Sequence, residues 1–223
     1  MISLSIRAQS VEQRNIADFD RIIFEGRGDL ILTIGSAPAL EVEAEDGVNM
    51  QRIKTYVQGK TLHITYERDD DKVWDMHPKI MVYVSFRELD EIATAGIVNV
   101  RTDSPIKNRS FRFGAEGMGK SYLEVEVDQL EVKIAGTADV ELTGTARQGS
   151  LLLDGTGKLD ALAMEASRID AEVNGTGSLF VHATESLHVE ANGFGAQVKY
   201  KGNPEDKVIN KSGWVSIKQV SSR

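Results

Sequence analysis

Apolar and polar residues alternate along most of this chain in short runs broken by glycine, and the runs repeat. Leu130-Glu-Val-Lys-Ile-Ala-Gly136-Thr-Ala-Asp-Val-Glu-Leu142, Leu151-Leu-Leu-Asp-Gly155-Thr-Gly-Lys-Leu159, Ile169-Asp-Ala-Glu-Val-Asn-Gly175-Thr-Gly-Ser-Leu-Phe-Val181 and Leu187-His-Val-Glu-Ala-Asn-Gly193-Phe-Gly-Ala196 each read as strand, glycine turn, strand. The first glycines of these turns fall at Gly96, Gly117, Gly136, Gly155, Gly175, Gly193 and Gly213, at spacings of 21, 19, 19, 20, 18 and 20 residues. A period near 20 over seven units is the signature of a solenoid.

Register supports that reading. Ile92, Phe113, Val132, Leu151, Ala171 and Val189 stand four residues before the glycine, and Thr94, Ala115, Ile134, Leu153, Val173 and Ala191 two before it. Val140 and Leu142, Leu159 and Ala161, and Leu179 and Val181 continue the series beyond the turn. Side chains that recur at equivalent places can stack into ladders, so the expected architecture is all-β: a parallel β-helix whose seven coils, about 4.8 Å apart, make a rod on the order of 30 Å long. The structural turn glycines expected at its corners are Gly96, Gly117, Gly136, Gly155, Gly157, Gly175, Gly177, Gly193, Gly195 and Gly213, with Asn174 and Asn192 tolerating left-handed backbone beside them.

The N-terminal third is less regular. Leu4 and Ile6 alternate weakly, and Ile22 to Gly35 carries a strand, a glycine turn and a strand, so the count could begin as early as Gly28. Leu40–Ala44 alternates, Ile53–Val57 and Leu62–Tyr66 flank Gly59 as a hairpin, Arg68–Lys72 is a charged loop, and the continuous apolar run Ile80–Val84 predicts a strand buried on both faces. The expected organisation is an N-terminal β region over residues 1–91 continuous with the solenoid, coils over 92–218 and a tail at 219–223. Pro204 interrupts the pattern before a partial last coil, where Trp214 and the charged tail are candidates to cover the open strand edge.

Composition narrows the function classes. The 26 Lys and Arg against 34 Asp and Glu leave a net charge of −8 without a clustered basic footprint, which argues against a nucleic-acid partner. There is no cysteine, so thiol catalysis, disulfides and cysteine-ligated zinc are excluded. Met1–Ile6 is too short and polar for a signal-peptide core, and no run approaches the roughly 20 apolar residues of a membrane span.

The residues resemble a bacterial family at this point. Val84-Ser-Phe-Arg-Glu-Leu-Asp-Glu-Ile92-Ala-Thr-Ala-Gly96, the Asn-Gly-Thr-Gly turn at 174–177, Leu187 to Gly195, and Val198-Lys-Tyr-Lys-Gly202-Asn-Pro204 followed by Ser212-Gly213 are similar to the head GIN domain of autotransporter adhesins, over roughly residues 20 to 218. Gly136-Thr-Ala138 and Gly193-Phe-Gly195 depart from that family's usual Gly-Ser-Gly turns. The resemblance implies a right-handed parallel β-helix related to pectin-lyase-like proteins but without their catalytic residues. It also implies export to the periplasm or cell surface, with a signal no longer part of the chain, and adhesion with a homo-oligomeric, trimeric assembly. A surface glycan or a protein would be the ligand.

Three other chemistries are weighed against this non-enzymatic reading. A polysaccharide-active enzyme would draw on Asp139, Asp154, Asp160, Asp170 and Glu172, which read equally as solvated strand residues. A non-catalytic carbohydrate-binding module would need aromatic residues along a face, yet few of the seven Phe, five Tyr and two Trp fall within the repeats. A metal would need His63, His77, His182 or His188, but only Asp75-Met-His77 is a tight pair. Arg27-Gly28-Asp29 spells an integrin-recognised tripeptide at a place that suits a corner, and Gly119-Lys120-Ser121 resembles a phosphate loop but precedes a strand. No catalytic, cofactor-binding or metal-ligating residue is therefore assigned, no cofactor is expected, and neither nucleic acid nor membrane insertion is expected of this segment.

Overall fold

A computed structural model describes residues 9–45, 47–67 and 78–221. Strands dominate: β1 (Gln9–Arg14), β2 (Arg21–Ile34), β3 (Ala39–Glu45), β4 (Ile53–Gln58), β5 (Thr61–Tyr66), β6 (Ile80–Phe86), β7 (Glu91–Thr102), β8 (Ile106–Gly155), β9 (Lys158–Gly175), β10 (Ser178–Lys201) and β11 (Asp206–Gln219). One short 3-10 turn, Met50–Arg52, precedes β4, and no α-helix occurs among the described residues. The Arg68–Lys72 loop, the Asp75–His77 pair and the weak alternation at Leu4 and Ile6 lie outside the described residues.

All strands belong to one sheet, ordered β1-β3-β6-β2-β7-β8-β9-β10-β11, with β5 beside β2 and β4 beside β5. From β2 onward the pairing is parallel and each strand meets its neighbour one repeat away. Gly26 faces Gly96, Gly96 faces Gly117, Gly155 faces Gly175 and Gly193 faces Gly213. The first glycine of the series is therefore Gly26, and Gly28 instead pairs with Val98. Ile22 to Leu32 thus forms a level of the same stack, joined to β7 across an excursion of the chain that contains β3 to β6.

In-register parallel pairing explains the glycines more directly than turn geometry does. A methyl group added at Gly96, Gly117, Gly155 or Gly213 would overlap the carbonyl oxygen of the preceding glycine in the file, and one at Gly136 or Gly175 would lie 2.5 Å from it. Gly193 lacks a positive φ and still cannot carry a side chain, because the Gly175 carbonyl occupies the space. Gly157 and Gly119 meet the backbone of Ala138 and Val98 in the same way, whereas Gly195 has φ +96° and nothing within 4 Å.

The ladders at four and two residues before each glycine, and four and six after it, are buried from Ile92 to Val189. Each such aliphatic side chain contributes roughly 1.5–3 kcal/mol relative to exposure. Core volume changes along the stack: Phe24, Phe86, Phe111 and Phe113 fill the N-terminal end, and Ala166, Ala171, Ala183 and Ala191 serve toward the other.

The N-terminal strands close one end of the stack. β3 pairs antiparallel with β6 and β1 with β3, while β4 and β5 form an antiparallel hairpin through Gly59 and Lys60, both at positive φ as a two-residue turn requires. Arg14 ties this end together, with one guanidinium nitrogen donating to the Ile53 carbonyl and Thr55 and the other to Glu12 and the Met50 carbonyl. β6 is not buried on both faces as its apolar run suggests: Ile80, Val82, Val84 and Phe86 are buried, but Met81, Tyr83 and Ser85 are only half-covered. Its other neighbour β3 supplies Glu43, which accepts from the Tyr83 hydroxyl at 3.3 Å.

At the opposite end, β11 pairs only with β10 among the described residues. Trp214 does not fold over that edge; it is 74% exposed and stacks on Phe194, with ring centroids 4.9 Å apart. What stands at the edge instead is Lys211. It continues the inward column Leu153, Val173, Ala191 yet is itself exposed, and a charge at the head of an apolar column opposes pairing with another strand.

Two measurements check these assignments. Gly175→Ala should lower stability in urea unfolding by more than Gly195→Ala, since both sites have positive φ, costing of order 1–3 kcal/mol, but only Gly175 is closed by backbone. Equal losses would remove the stacking explanation. Lys211→Leu should raise the mass seen by light scattering above that of the unchanged protein at equal concentration; an unchanged mass would mean that this lysine does not guard the edge.

Candidate functional site

The stack leaves two continuous outward features, one on each side of the strand that leads into the glycine corner. The first begins one residue after each ladder glycine. Arg27, Ile97, Met118, Thr137, Thr156, Thr176, Phe194 and Trp214 occupy that position, and all eight are exposed. Bending at the glycine turns this side chain away from the core at every level, so register converts eight distant residues into one file. Ile97 faces Met118, and Phe194 faces Trp214. The file is apolar at Ile97 and Met118, hydroxyl-bearing through the three threonines, and aromatic at Phe194 and Trp214.

The second feature is a groove of about 610 Å³ lined by residues of five successive levels. Its banks lie five and seven residues before the ladder glycines. Arg112, Glu131, Ser150, Asp170 and His188 form one, and Ser110, Gln129, Gln148, Arg168 and Ser186 the other. Leu130, Gly149 and Ile169 lie between them in a buried column, with Leu130 and Ile169 turned into the core. Arg112 donates to Glu91 at 2.9 Å, and that hydrogen bond with its attendant attraction holds the guanidinium pKa above its ordinary value. His188 Nδ1 lies 3.5 Å from Asp170, and Arg168 lies 3.7 Å from Glu185.

The five carboxylates singled out in the sequence stand in separate columns, but two of them, Asp139 and Asp160, line one hollow together with Glu141 and Lys158. Asp160 pairs with Lys158 at 2.7 Å, and Asp139 and Glu141 add to the field that raises the Lys158 pKa. Glu172 accepts from Asn174 at 2.7 Å, Asp154 faces Asn174 in register, and Asp170 borders the groove. Asn192 donates onward to Asn174, so both asparagines serve a side-chain ladder next to the glycines.

The histidines are likewise dispersed. His63 stacks on Tyr56, His182 has its pKa lowered first by burial and then by Lys201, and His188 sits on the groove bank. No group of three His, Cys, Asp or Glu residues that could hold a metal ion occurs among the described residues. Within Arg27-Gly28-Asp29 only the arginine is exposed: Gly28 is buried, and Asp29 binds Lys79 at 2.7 Å and Asn99 at 2.6 Å. Gly119-Lys120-Ser121 is part of β8, where the Lys120 amide donates to Asn99 and the Ser121 side chain is buried.

Sequence reasoning did not single out the groove. Between its banks lies Gly149, a glycine that falls outside the 20-residue count and so was not conspicuous. The outward file was equally hidden, since adjacent members are about 20 positions apart.

Comparison with known proteins comes to the same fold. A family model described as "Putative auto-transporter adhesin, head GIN domain" matches residues 18–204. A crystal structure of a "putative adhesin" from Bacteroides fragilis is similar, with a TM-score of 0.86 and 24% identity over 96% of this chain and 97% of that one. A "putative lipid binding protein" from Parabacteroides distasonis gives a TM-score of 0.73 at 24% identity, covering 95% and 96% of the two chains. A "putative adhesin" from Parabacteroides merdae gives 0.69 at 21%, with the same coverage. No curated protein matches the chain.

Proposed function

We propose that this chain, which belongs to the auto-transporter adhesin head GIN domain family, is a non-enzymatic module of the bacterial cell envelope whose role is adhesion or assembly. In this reading the levels wind as a right-handed parallel β-helix, the chain is exported, and the rod holds an outward surface rigid while that surface meets a protein, a glycan or further copies of itself.

The observation that carries the reading is the exposed file after the ladder glycines. Met118, Phe194 and Trp214 are each more than half exposed, at 52%, 67% and 74%. Large apolar side chains exposed in a line on a rigid scaffold are the usual material of an interaction surface, where aromatic anchors supply most of the affinity. Two of them already stack on each other, so little side-chain freedom remains to be lost on contact. Asp154, Asp170 and Glu172 stand in separate columns, and where Asp139, Glu141 and Asp160 do meet, around Lys158, Asp160 is held in an ion pair with that lysine at 2.7 Å, which supports the non-enzymatic half of the reading.

The test is a Phe194→Ser/Trp214→Ser double variant beside a Lys201→Ser control. Its circular dichroism should match the unchanged protein, because both rings lie outside the core. Binding to immobilised copies of the protein and to a purified envelope fraction should fall at least tenfold, in line with loss of an anchor of about 2 kcal/mol. Retained binding to both surfaces would sink the assignment.

A further inference from the structure

We infer that the C-terminal end of the stack seats on an anionic lipid surface, with no strand crossing it. The inference rests on the reading of the outward file as an interaction surface and assigns a partner to its aromatic end. The core runs out into water there, since β11 has no level beyond it among the described residues. Ile209 continues the column of Ala171 and Val189, and Ile217 faces Val198. Val189 and Val198 are fully buried, whereas Ile209 and Ile217 are only half-covered and Val208 is 46% exposed. The Phe194 and Trp214 rings lie within 15° of parallel with centroids 4.9 Å apart, about the separation of adjacent levels, so their stack runs along the rod. Trp214 is its outermost ring, and the far face of the indole is open. One end therefore presents two aromatic rings beside the uncovered margin of the core.

The charge of this end is opposite to that of the chain. β11 carries Lys207, Lys211 and Lys218 against Asp206 alone, on a protein of net charge −8. Elsewhere lysines are matched by carboxylates, as Lys79 is by Asp29, Lys107 by Glu126 and Lys158 by Asp160. The three lysines of β11 are exposed, and none forms an ion pair among the described residues. Lys207 donates only to the Tyr200 hydroxyl, at 3.3 Å, and Asp206 accepts from Ser186 at 3.0 Å. Lys218 stands beside Lys199 in register, a pairing of like charges that costs stability until an anion lies over it.

A lipid surface satisfies both halves. Indole rings settle at the boundary between acyl chains and headgroups, and lysines are drawn to anionic headgroups while their stems lie along apolar surface. The strand edge stays solvated in the hydrated headgroup layer, whereas a protein strand would have to pair with it against Lys211. Seated in this way the rod points off the surface, and Met118, five levels from Trp214, stands roughly 24 Å away from it. The Ile97 and Met118 end of the file is then free to meet another partner.

Co-sedimentation of the full chain with vesicles tests this. Binding to phosphatidylcholine vesicles containing about one third phosphatidylglycerol should be saturable, and about tenfold or more tighter than to phosphatidylcholine alone. Polygalacturonate, a soluble polyanion, should bind more weakly than the anionic vesicles. Lys207→Gln/Lys218→Gln should keep the circular dichroism of the unchanged protein and weaken vesicle binding about tenfold or more, while leaving binding to immobilised copies of the protein unchanged. Phe194→Ser/Trp214→Ser, which keeps every charge, should also weaken vesicle binding about tenfold or more. No saturable binding to anionic vesicles, equal binding to neutral ones, polygalacturonate binding as tight as that of the vesicles, or undiminished vesicle binding by either folded variant would each overturn the proposal. The lipid seat is read on purified lipid and the file on immobilised copies, so failure of one is distinguishable from failure of the other.

Discussion

Carbonyl oxygens of one level lie where the Cβ atoms of the next level's corner residues would have to be. From Gly96 to Gly213 this excludes any side chain from the corner, and it also holds successive levels in register, because a shift of one residue would push a side chain into a backbone oxygen. Register then does the remaining work. It places Ile92, Phe113, Val132, Leu151, Ala171 and Val189 on one buried line, and it places the residue after each glycine on one exposed line. The inner and outer surfaces are consequences of the same constraint.

A stack built this way has two ends, and they are managed differently. Antiparallel strands and the Arg14 hydrogen bonds close the N-terminal end. The C-terminal edge is left as backbone, with the exposed Lys211 at the head of a column that is otherwise buried. Covering an edge makes new hydrogen bonds, whereas a charged residue only makes further pairing unfavourable. Trp214 is consequently not committed to capping and stands in the outward file.

The outward positions divide into a ridge and a groove. The ridge carries exposed apolar and aromatic side chains toward its two ends, at Ile97 and Met118 and at Phe194 and Trp214, and the groove runs between two rows of polar and charged side chains over a buried column. The exposed apolar area of the ridge is a departure from what stability alone would select, and such departures are where function is most reasonably sought. Of the carboxylates and histidines that first attract attention, Asp160 is tied to Lys158, Glu172 to Asn174 and His63 to Tyr56.

Much of the scaffold was legible in the amino-acid sequence. Strand periodicity, the spacing of the glycines and the apolar positions at fixed offsets from them are local or strictly periodic signals, and backbone chemistry gives them one all-β meaning. Gly26 starts the file unannounced because residues 35–90, between β2 and β7, break the count before Gly96, and pairing across such an excursion is a tertiary event. The half-covered face of β6 depended on which neighbours the sheet supplied. The reason that Gly193 must be glycine, and that Gly149 need not be, lies in what sits one level away. A sequence displays neighbours along the chain, whereas the ridge, the groove and the clashes are made by residues about 20 positions apart that only the stacked sheet brings side by side.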